Sequence, residues 1–556
     1  MPVVISRHFV TVGQRQVHYR RAGEGPPVVL LHQSPSWALA LDPYTRAFAD
    51  AGFTAIALDT PGYGLSDLLP LEKPEIPDYA EALRETLDAL GLKRIGLFGS
   101  HTGASIAIEF ARRHPERVAM TLFDGYPAYT DAERAEMLEH YLPPFVSRWD
   151  GSHLISLWHK FREQFIFQPT FVHHRENRAD NAPMPAAAMQ PAVLPRLITA
   201  EAYAIGYSSV FRYRGLEPLT EMKAPTCFAI REGDGLVKGL ALLPPGSWIE
   251  RMPRDIPTAA AGYAQLMKRH VAPDAAPPPP AARAIAGRII RRYVDMRFGQ
   301  MMVRQAGNGT GPPLVLVPHM PGGGDLRDDL LQALAATRTV LAIDMPGQGD
   351  SDAVAAAPSV ELWADALEAA LDALGLPTVL LHGHNGGASV AAQFAQRHPR
   401  RVVKLVLEGP LALPEPLRQV LQHRYAEPIV PQWDGAHWLR LWFTLRNEQL
   451  FWPWYNETLE GVRHVEPEIE PRHLTRKLTG ILKHYVNYAP SWQAALSFPL
   501  QRHLGQIAVP TLVCARENDV FAAFAEDAAR AVPAARYAFL PFDAPGAARV
   551  LSDFLG

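Results

Sequence analysis

Apolar residues fall along this chain in short bursts separated by longer mixed segments. PVVLLH (27–32), TAIALD (54–59), RIGLFG (94–99) and AMTLFD (119–124) are near-continuous apolar runs. Runs of this kind predict strands buried on both faces, as in a parallel sheet. Between them, YAEALRETLDALG (79–91) and ASIAIEFARRHP (104–115) predict helices, the first closing at Gly91 as a C-cap glycine does and the second at Pro115. Alternating strand and helix predicts an α/β domain with helices on both faces of the sheet. From LFDG (122–125) to APTCFAIRE (224–232) the pattern changes. Trp, Phe, Pro and His without sheet patterning predict a helical insertion over the C-terminal edge of the sheet, where open α/β sheets bind ligands.

The same pattern is then written a second time. GPPVVLLHQSP (25–35) returns as GPPLVLVPHMP (311–321), and FTAIALDTPGYGLSD (53–67) as RTVLAIDMPGQGDSD (338–352). LDALGLKRIGLFGSHTGASIAIEFARRHPERV (87–118) returns as LDALGLPTVLLHGHNGGASVAAQFAQRHPRRV (371–402), and RWDGSHLISLWHKFREQFIF (148–167) as QWDGAHWLRLWFTLRNEQLF (432–451). Order and spacing match throughout, as a tandem duplication requires. Between the copies, VAPDAAPPPPAAR (271–283) predicts an extended, semi-rigid linker. The expected boundaries are 1–270 for the first domain, with its insertion at about 126–222, and 284–556 for the second, with its insertion at about 410–507. Each half is large enough to bury its own core.

Composition narrows the function classes. The 556 residues carry Lys+Arg 54 against Asp+Glu 57, a formal charge of -3, which leaves no basic footprint for nucleic acid or an anionic membrane. No apolar run approaches the roughly 18–20 residues that span a bilayer, and Arg7, His8, Gln14 and Arg15 interrupt the first segment before a secretory h-region forms. Cys227 and Cys514 have no metal or redox spacing, and His173-His174 has no third ligand at a plausible distance, so no metal is expected. The expectation is a cytoplasmic protein with a small-molecule substrate, neither nucleic acid nor membrane as partner, and an internal pseudo-dimer that further homo-oligomerisation would extend.

Three linked motifs carry a resemblance. They are His32-Gln33-Ser34-Pro35 after a strand, D-x-P-G-x-G-x-S at Asp59–Ser66 and Asp344–Ser351, and a glycine-flanked turn between strand and helix. In this order they resemble the α/β-hydrolase superfamily, once per half. The resemblance implies two α/β-hydrolase-like domains in tandem, each a mostly parallel sheet flanked by helices with a helical cap after strand six, and no organic cofactor. It also implies a nucleophile at the centre of the turn, where a tight bend holds the side chain up into the site.

Here the chain departs from the family. The first turn reads Gly99-Ser100-His101-Thr102-Gly103 and the second Gly383-His384-Asn385-Gly386-Gly387, so His101 and Asn385 stand where the family usually carries Ser. Slipping the frame to Ser100 loses both glycines. Ser105 and Ser389, a helical turn beyond, are expected to pack or bond back to the helix. The family's acid after strand seven is matched by Asp234 and Asp519, but neither half has its histidine after strand eight, and His270 lies too close to the linker. Serine hydrolysis needs an alcohol and a base to take its proton, and both are missing from their places.

Two readings of His101 stand side by side: a general base, less often a nucleophile, or a group that fills the vacated place and binds a ligand. As a base it would be oriented by Asp124, at the end of the neighbouring strand, or by Asp234. The N–H groups of Ser34 and Thr102 would hold an oxyanion, with Gln33 beside them. In the second half Glu408 and Asp519 match those acids with no base between them; His384 is expected to point away and His382 to lie back on the strand. Setting the oxyanion loops side by side places Pro321, which has no N–H, opposite Ser34, unless the alignment slips in PGGGD. Asn385 cannot take a proton at neutral pH, so the second half reads as structural or ligand-binding.

In the insertions, Asp150 and Asp434 read as helix caps. His153 with Arg162, and His437 with Arg446, are candidates to turn toward a substrate oxyanion. The tryptophans at 149, 158, 433, 438, 442, 452 and 454 are expected mainly in the core, their density suggesting an apolar, partly aromatic cavity.

The sequence thus points to a non-serine enzyme of base chemistry (hydrolysis, C–C lysis, decarboxylation, cyclisation or cofactor-free oxygenation) on a small apolar carbonyl or carboxylate compound. The competing class is a ligand-binding protein with two degenerate sites. A fluorophosphonate probe should leave the chain unlabelled; stoichiometric labelling, read by mass spectrometry, would overturn the rejection of a serine nucleophile.

Overall fold

The computed structural model describes residues 3–179 and 181–556. The chain divides into two compact units, Met1–Val146 with Ser156–Arg283, and Ser147–Ile155 with Ala284–Gly556. The proline-rich linker belongs to the first unit. Ala276 N–H donates to Gly25 O at 2.9 Å, Arg21 Nη1 to Pro277 O at 2.7 Å, and Arg283 N–H to Thr11 Oγ1 at 2.9 Å.

In the first unit the strands are β1 (Ser6–Val12), β2 (Arg15–Ala22), β3 (Pro27–Leu31), β4 (Thr54–Leu58), β5 (Ile95–Ser100), β6 (Val118–Asp124), β7 (Thr226–Arg231) and β8 (Trp248–Met252). They form one sheet in the order β1-β2-β4-β3-β5-β6-β7-β8. The pairs β1/β2 and β2/β4 are antiparallel, and the remainder are parallel. Alternation along the strands fills two cores. Val29, Leu31, Ile56, Leu58 and Leu97 pack on the face covered by α2 (Ile76–Ala89) and α3 (Thr102–Arg113). Val28, Leu30, Ala55, Ala57 and Phe98 pack on the face covered by α1 (Asp42–Asp50) and α8 (Ile256–Met267). Both predicted helices are present, α2 ending at Ala89, two residues before Gly91 (φ 70°), and α3 at Arg113, two residues before Pro115.

Between β6 and β7 the chain leaves the sheet through α4 (Asp131–His140), α5 (Ser152–Glu163), α6 (Ala186–Thr199) and α7 (Tyr203–Arg212). The absence of sheet patterning there gives helices, as read from the sequence.

The second unit repeats this plan. Strands β9 (Ile290–Met296), β10 (Gly299–Ala306), β11 (Leu314–Val317), β12 (Val340–Ile343), β13 (Val379–His384), β14 (Val402–Glu408), β15 (Thr511–Arg516) and β16 (Arg536–Leu540) form a sheet of the same order. Its helices are α9 (Asp328–Leu334), α10 (Val360–Ala373), α11 (Gly386–Arg397), α12 (Glu415–Arg424), α13 (Ala436–Leu450), α14 (Pro471–Leu482), α15 (Tyr488–Ser497), α16 (Gln501–Leu504), α17 (Ala522–Ala531) and α18 (Ala544–Leu555). Here α12 to α16 make up the insertion after β14.

The turn from β5 to α3 fixes the site. His101 sits at φ 48°, ψ -109°, a conformation L-residues rarely adopt. Asn385, between β13 and α11, has φ 48°, ψ -111°. A Cβ on Gly99 would lie 2.6 Å from Gly103 O, and one on Gly103 would lie 2.3 Å from Leu31 O, so neither position has room for a side chain. Gly103→Ala should therefore destabilise the first unit by roughly 1–3 kcal/mol, read as a lowered urea midpoint; an unchanged midpoint would show that the helix can shift away from β3.

Candidate functional site

The bend raises His101 at the C-terminal edge of the sheet, where its side chain is 36% exposed. The ring is therefore not sealed in the core. Its Nε2 lies 2.9 Å from Asp234 Oδ2, on the loop after β7. The other oxygen of Asp234 accepts the Leu236 N–H at 2.8 Å, so the carboxylate is held from both ends. Gly125 makes the pairing possible: a Cβ there would meet His101 Nε2 at 2.9 Å and Asp234 Oδ2 at 3.0 Å. Burial alone would lower the His101 pKa, but the charge and hydrogen bond of Asp234, with a further contribution from Asp124, raise it above the ordinary histidine value. Burial would raise the Asp234 pKa; the His101 charge and hydrogen bond overcome this and lower it.

Asp124 does not orient His101. Its buried carboxylate accepts from Tyr44 Oη at 3.0 Å, Tyr263 Oη at 2.8 Å and Arg231 Nε at 3.0 Å. The sheet register pairs Ser100 with Asp124, so the next residue, Gly125, is the one beside the His101 ring. Ser34 also departs from expectation. Its N–H donates to Thr102 Oγ1 at 3.2 Å, leaving the Thr102 N–H, at the start of α3, as the open donor. The Gln33 carbonyl pairs with His32 Nδ1 at 2.8 Å.

His153 does not reach this site. It lies in the segment that clusters with the second unit, where its Nδ1 accepts the Arg148 N–H at 3.1 Å and its Nε2 is 3.2 Å from Thr475 Oγ1. Burial lowers its pKa to about 4. His437 does the same for its own loop, accepting the Gln432 N–H at 3.2 Å, and burial again lowers its pKa to about 4. Both histidines staple loops. Asp150 and Asp434 accept the N–H of Ser152 and Ala436 at 3.0 and 3.1 Å, as caps. Arg162 pairs loosely with its neighbour Glu163 at 3.9 Å, and Arg446 is half-buried on α13. Trp158, Trp438 and Trp442 are buried, but Trp149 and Trp433 are exposed, against the expectation of core.

In the second unit Asn385 takes the place of His101. With its amide nitrogen toward the acid, it donates to Asp519 Oδ2 at 3.0 Å and to Gly409 O at 2.9 Å. Burial raises the Asp519 pKa to about 6. Glu408 faces inward, paired with Arg327, with Arg516 Nε at 3.2 Å and with His382 Nε2 at 2.8 Å. A cavity of about 460 Å³ opens in front of Asn385, lined among others by His319, His384, Trp492, Asp519 and Phe521. His384 thus lines the cavity where it was expected to point away. Burial lowers the His319 pKa to about 3 and holds His384 well below the ordinary histidine value, so both rings are neutral. The oxyanion loop also needs correction. Leu31 pairs with Gly99 and Val317 with Gly383, so Met320, which keeps its N–H, stands at the place of Ser34, and Pro321 stands at the place of Pro35.

Comparison with known proteins agrees with the fold. The α/β hydrolase fold family model matches residues 26–151 and again 312–434. Each half of the chain has the α/β hydrolase fold. A 2-hydroxy-6-oxo-6-phenylhexa-2,4-dienoate hydrolase of Comamonas testosteroni is 35% identical over 112 residues, 20% of this chain and 39% of that protein. A 2-hydroxy-6-oxononadienedioate/2-hydroxy-6-oxononatrienedioate hydrolase of Paraburkholderia phymatum is 37% identical over 114 residues, 20% of this chain and 40% of that one. The dihydrolipoyllysine-residue acetyltransferase component of an acetoin cleaving system from Pseudomonas putida is 33% identical over 148 residues, 26% of this chain and 36% of that protein. The chain thus spans about two fifths of the length of the curated relatives it matches.

In this tandem hydrolase fold, the site residues missed from sequence are Tyr44, Arg231 and Tyr263 around Asp124, and His319 and Trp492 in the second cavity. One signal was available: Arg231 and Arg516 open the same R-E-x-D motif in both halves. Among the described residues no group of His, Cys, Asp and Glu is placed to hold a metal, and no helix is long and apolar enough to cross a membrane.

The His101–Asp234 pair has a defined pH window. The His101 contribution to stability is full below the ordinary histidine pKa and is lost as pH rises through its raised value. The Asp234 contribution is present above the ordinary aspartate value and lost as pH falls through its lowered one. Asp234→Asn should move the His101 pKa downward in an NMR titration; an unmoved value would dissolve the pair.

Proposed function

We propose that the first domain is a hydrolase in which His101 acts as general base and Asp234 as its partner, on a small, largely apolar carbonyl compound. The observation that supports this most is the 2.9 Å contact between His101 Nε2 and Asp234 Oδ2 on a ring that remains partly exposed. With Nε2–H donating to Asp234, Nδ1 carries the lone pair and is free to accept a proton. Water bound there loses a proton to Nδ1 as its oxygen attacks the substrate carbonyl. The Thr102 N–H stabilises the oxyanion, and His101 then returns the proton to the leaving group as the bond to the carbonyl carbon breaks. Asp234 stabilises the transient imidazolium. No acyl-enzyme is needed, which suits the absence of serine at the elbow.

The names of the relatives, hydrolases of 2-hydroxy-6-oxo acids, favour hydrolysis of a C–C bond beside a ketone over decarboxylation, cyclisation or oxygenation. The second domain reads as a binding site without turnover. Asn385 has no proton-accepting group at neutral pH, and a cavity of about 460 Å³ stands in front of it.

His101→Gln should lower kcat/KM at least 100-fold with the fold intact by circular dichroism, since general-base catalysis contributes roughly 10²–10⁴-fold. In the wild type kcat/KM should rise with pH through an ionisation above the ordinary histidine value, and Asp234→Asn should shift that ionisation downward. Undiminished turnover by His101→Gln would remove His101 from the chemistry, and ligand binding with no turnover of esters, lactones or β-diketones by either protein would leave binding as the role of both domains.

A further inference from the structure

The helical insertion of the first domain holds two cations close together. Lys160, on α5, donates from Nζ to Tyr141 O at 2.7 Å and lies 3.4 Å from Tyr203 Oη. Arg196, on α6, donates from Nη2 to Gln164 Oε1 at 3.1 Å and stacks over Phe161, 4.3 Å from the ring centroid. Its Nη1 is buried with no partner. Both line one cavity of about 20 Å³ together with Pro35, Gln164, Thr170 and Tyr207. That volume holds a group little larger than a water molecule, which needs about 10–15 Å³.

Among the described residues no carboxylate pairs with either cation, and the cavity wall contains none. Burying two like charges side by side is unfavourable unless an anion joins them. The repeat shows that the fold does not require this arrangement. The offset that carries Arg162 onto Arg446 carries Lys160 onto Thr444, and the same kind of insertion still forms. Pro35, in the cavity wall, directly follows Ser34, whose N–H meets Thr102, the residue after His101.

We propose that Lys160 and Arg196 form an anion subsite that takes the carboxylate of an organic acid, the apolar body of which extends past Pro35 toward His101. The inference rests on the assignment of His101 as the base and narrows its substrate to a carboxylate-bearing carbonyl compound. Arg196 offers a planar fork and Lys160 a point charge, a pairing suited to a carboxylate. Burial, reinforced by the Arg196 charge, lowers the Lys160 pKa to about 7, so a bound anion would draw a proton onto the amine.

The test is calorimetric titration of the full chain with sodium benzoate, benzamide and inorganic phosphate at constant ionic strength. Benzoate should bind saturably, with benzamide and phosphate roughly tenfold weaker or more. Lys160→Met and Arg196→Met should each weaken benzoate by roughly tenfold. Lys160→Met should also melt no lower than the wild type without ligand, because it removes a buried unpaired charge; a purely structural lysine would lower the melting temperature. Equal affinity for benzoate and benzamide, phosphate binding tighter than benzoate, or variants within twofold of wild type would each overturn the proposal. His101→Gln should keep benzoate binding while losing turnover. If it turns over normally, the base assignment fails while the benzoate result still decides the subsite.

Discussion

The backbone at residue 101 is held in a conformation that a non-glycine residue adopts only under external constraint. The constraint comes from close packing: the first turn of α3 lies so near β3 and β5 that Gly99 and Gly103 have no space for a Cβ. The geometry lifts whatever side chain stands at 101 clear of the sheet and aims it at the loop after β7. Gly125 extends the same constraint to the adjoining strand, leaving the gap in which the imidazole and the Asp234 carboxylate meet.

The second domain shows the same bend with an amide in place of the imidazole. Its backbone angles at Asn385 nearly coincide with those at His101, and Gly409 again leaves the gap, here filled by Asn385 and Asp519. A carboxamide in this position donates to its acid and cannot itself take a proton at neutral pH. The same frame therefore presents an imidazole against a carboxylate in one half and a carboxamide against a carboxylate in the other.

Buried carboxylates elsewhere also diverge between the halves. Asp59 is met by His18 Nδ1 at 2.7 Å and has a lowered pKa despite its burial. Asp344, in the matching turn, has Met302 where His18 stands, and burial raises its pKa to about 7. Asp124 is satisfied by two tyrosines and one arginine, Glu408 by two arginines and a histidine. A buried carboxylate needs donors, but the fold accepts several donor sets, so duplication preserved the frame while the electrostatics drifted apart.

Strands, helices, the tandem repeat, the elbow and the missing serine were legible in the sequence because each depends on local periodicity, turn sterics or residue identity. The choice between Asp124 and Asp234 was not: both end a strand beside the elbow, and only the register and the path of the β7 loop decide which carboxylate faces the ring. His153 and His437 resembled site residues by spacing, yet burial committed them to their own loops, while Trp149 and Trp433 turned outward. The meeting of Lys160 with Arg196 has no sequence signature, since it depends on how α5 and α6 cross. Short-range sterics and burial patterns thus wrote the scaffold into the sequence, whereas the partners of each charged group were decided by distances that arise only when remote segments pack together.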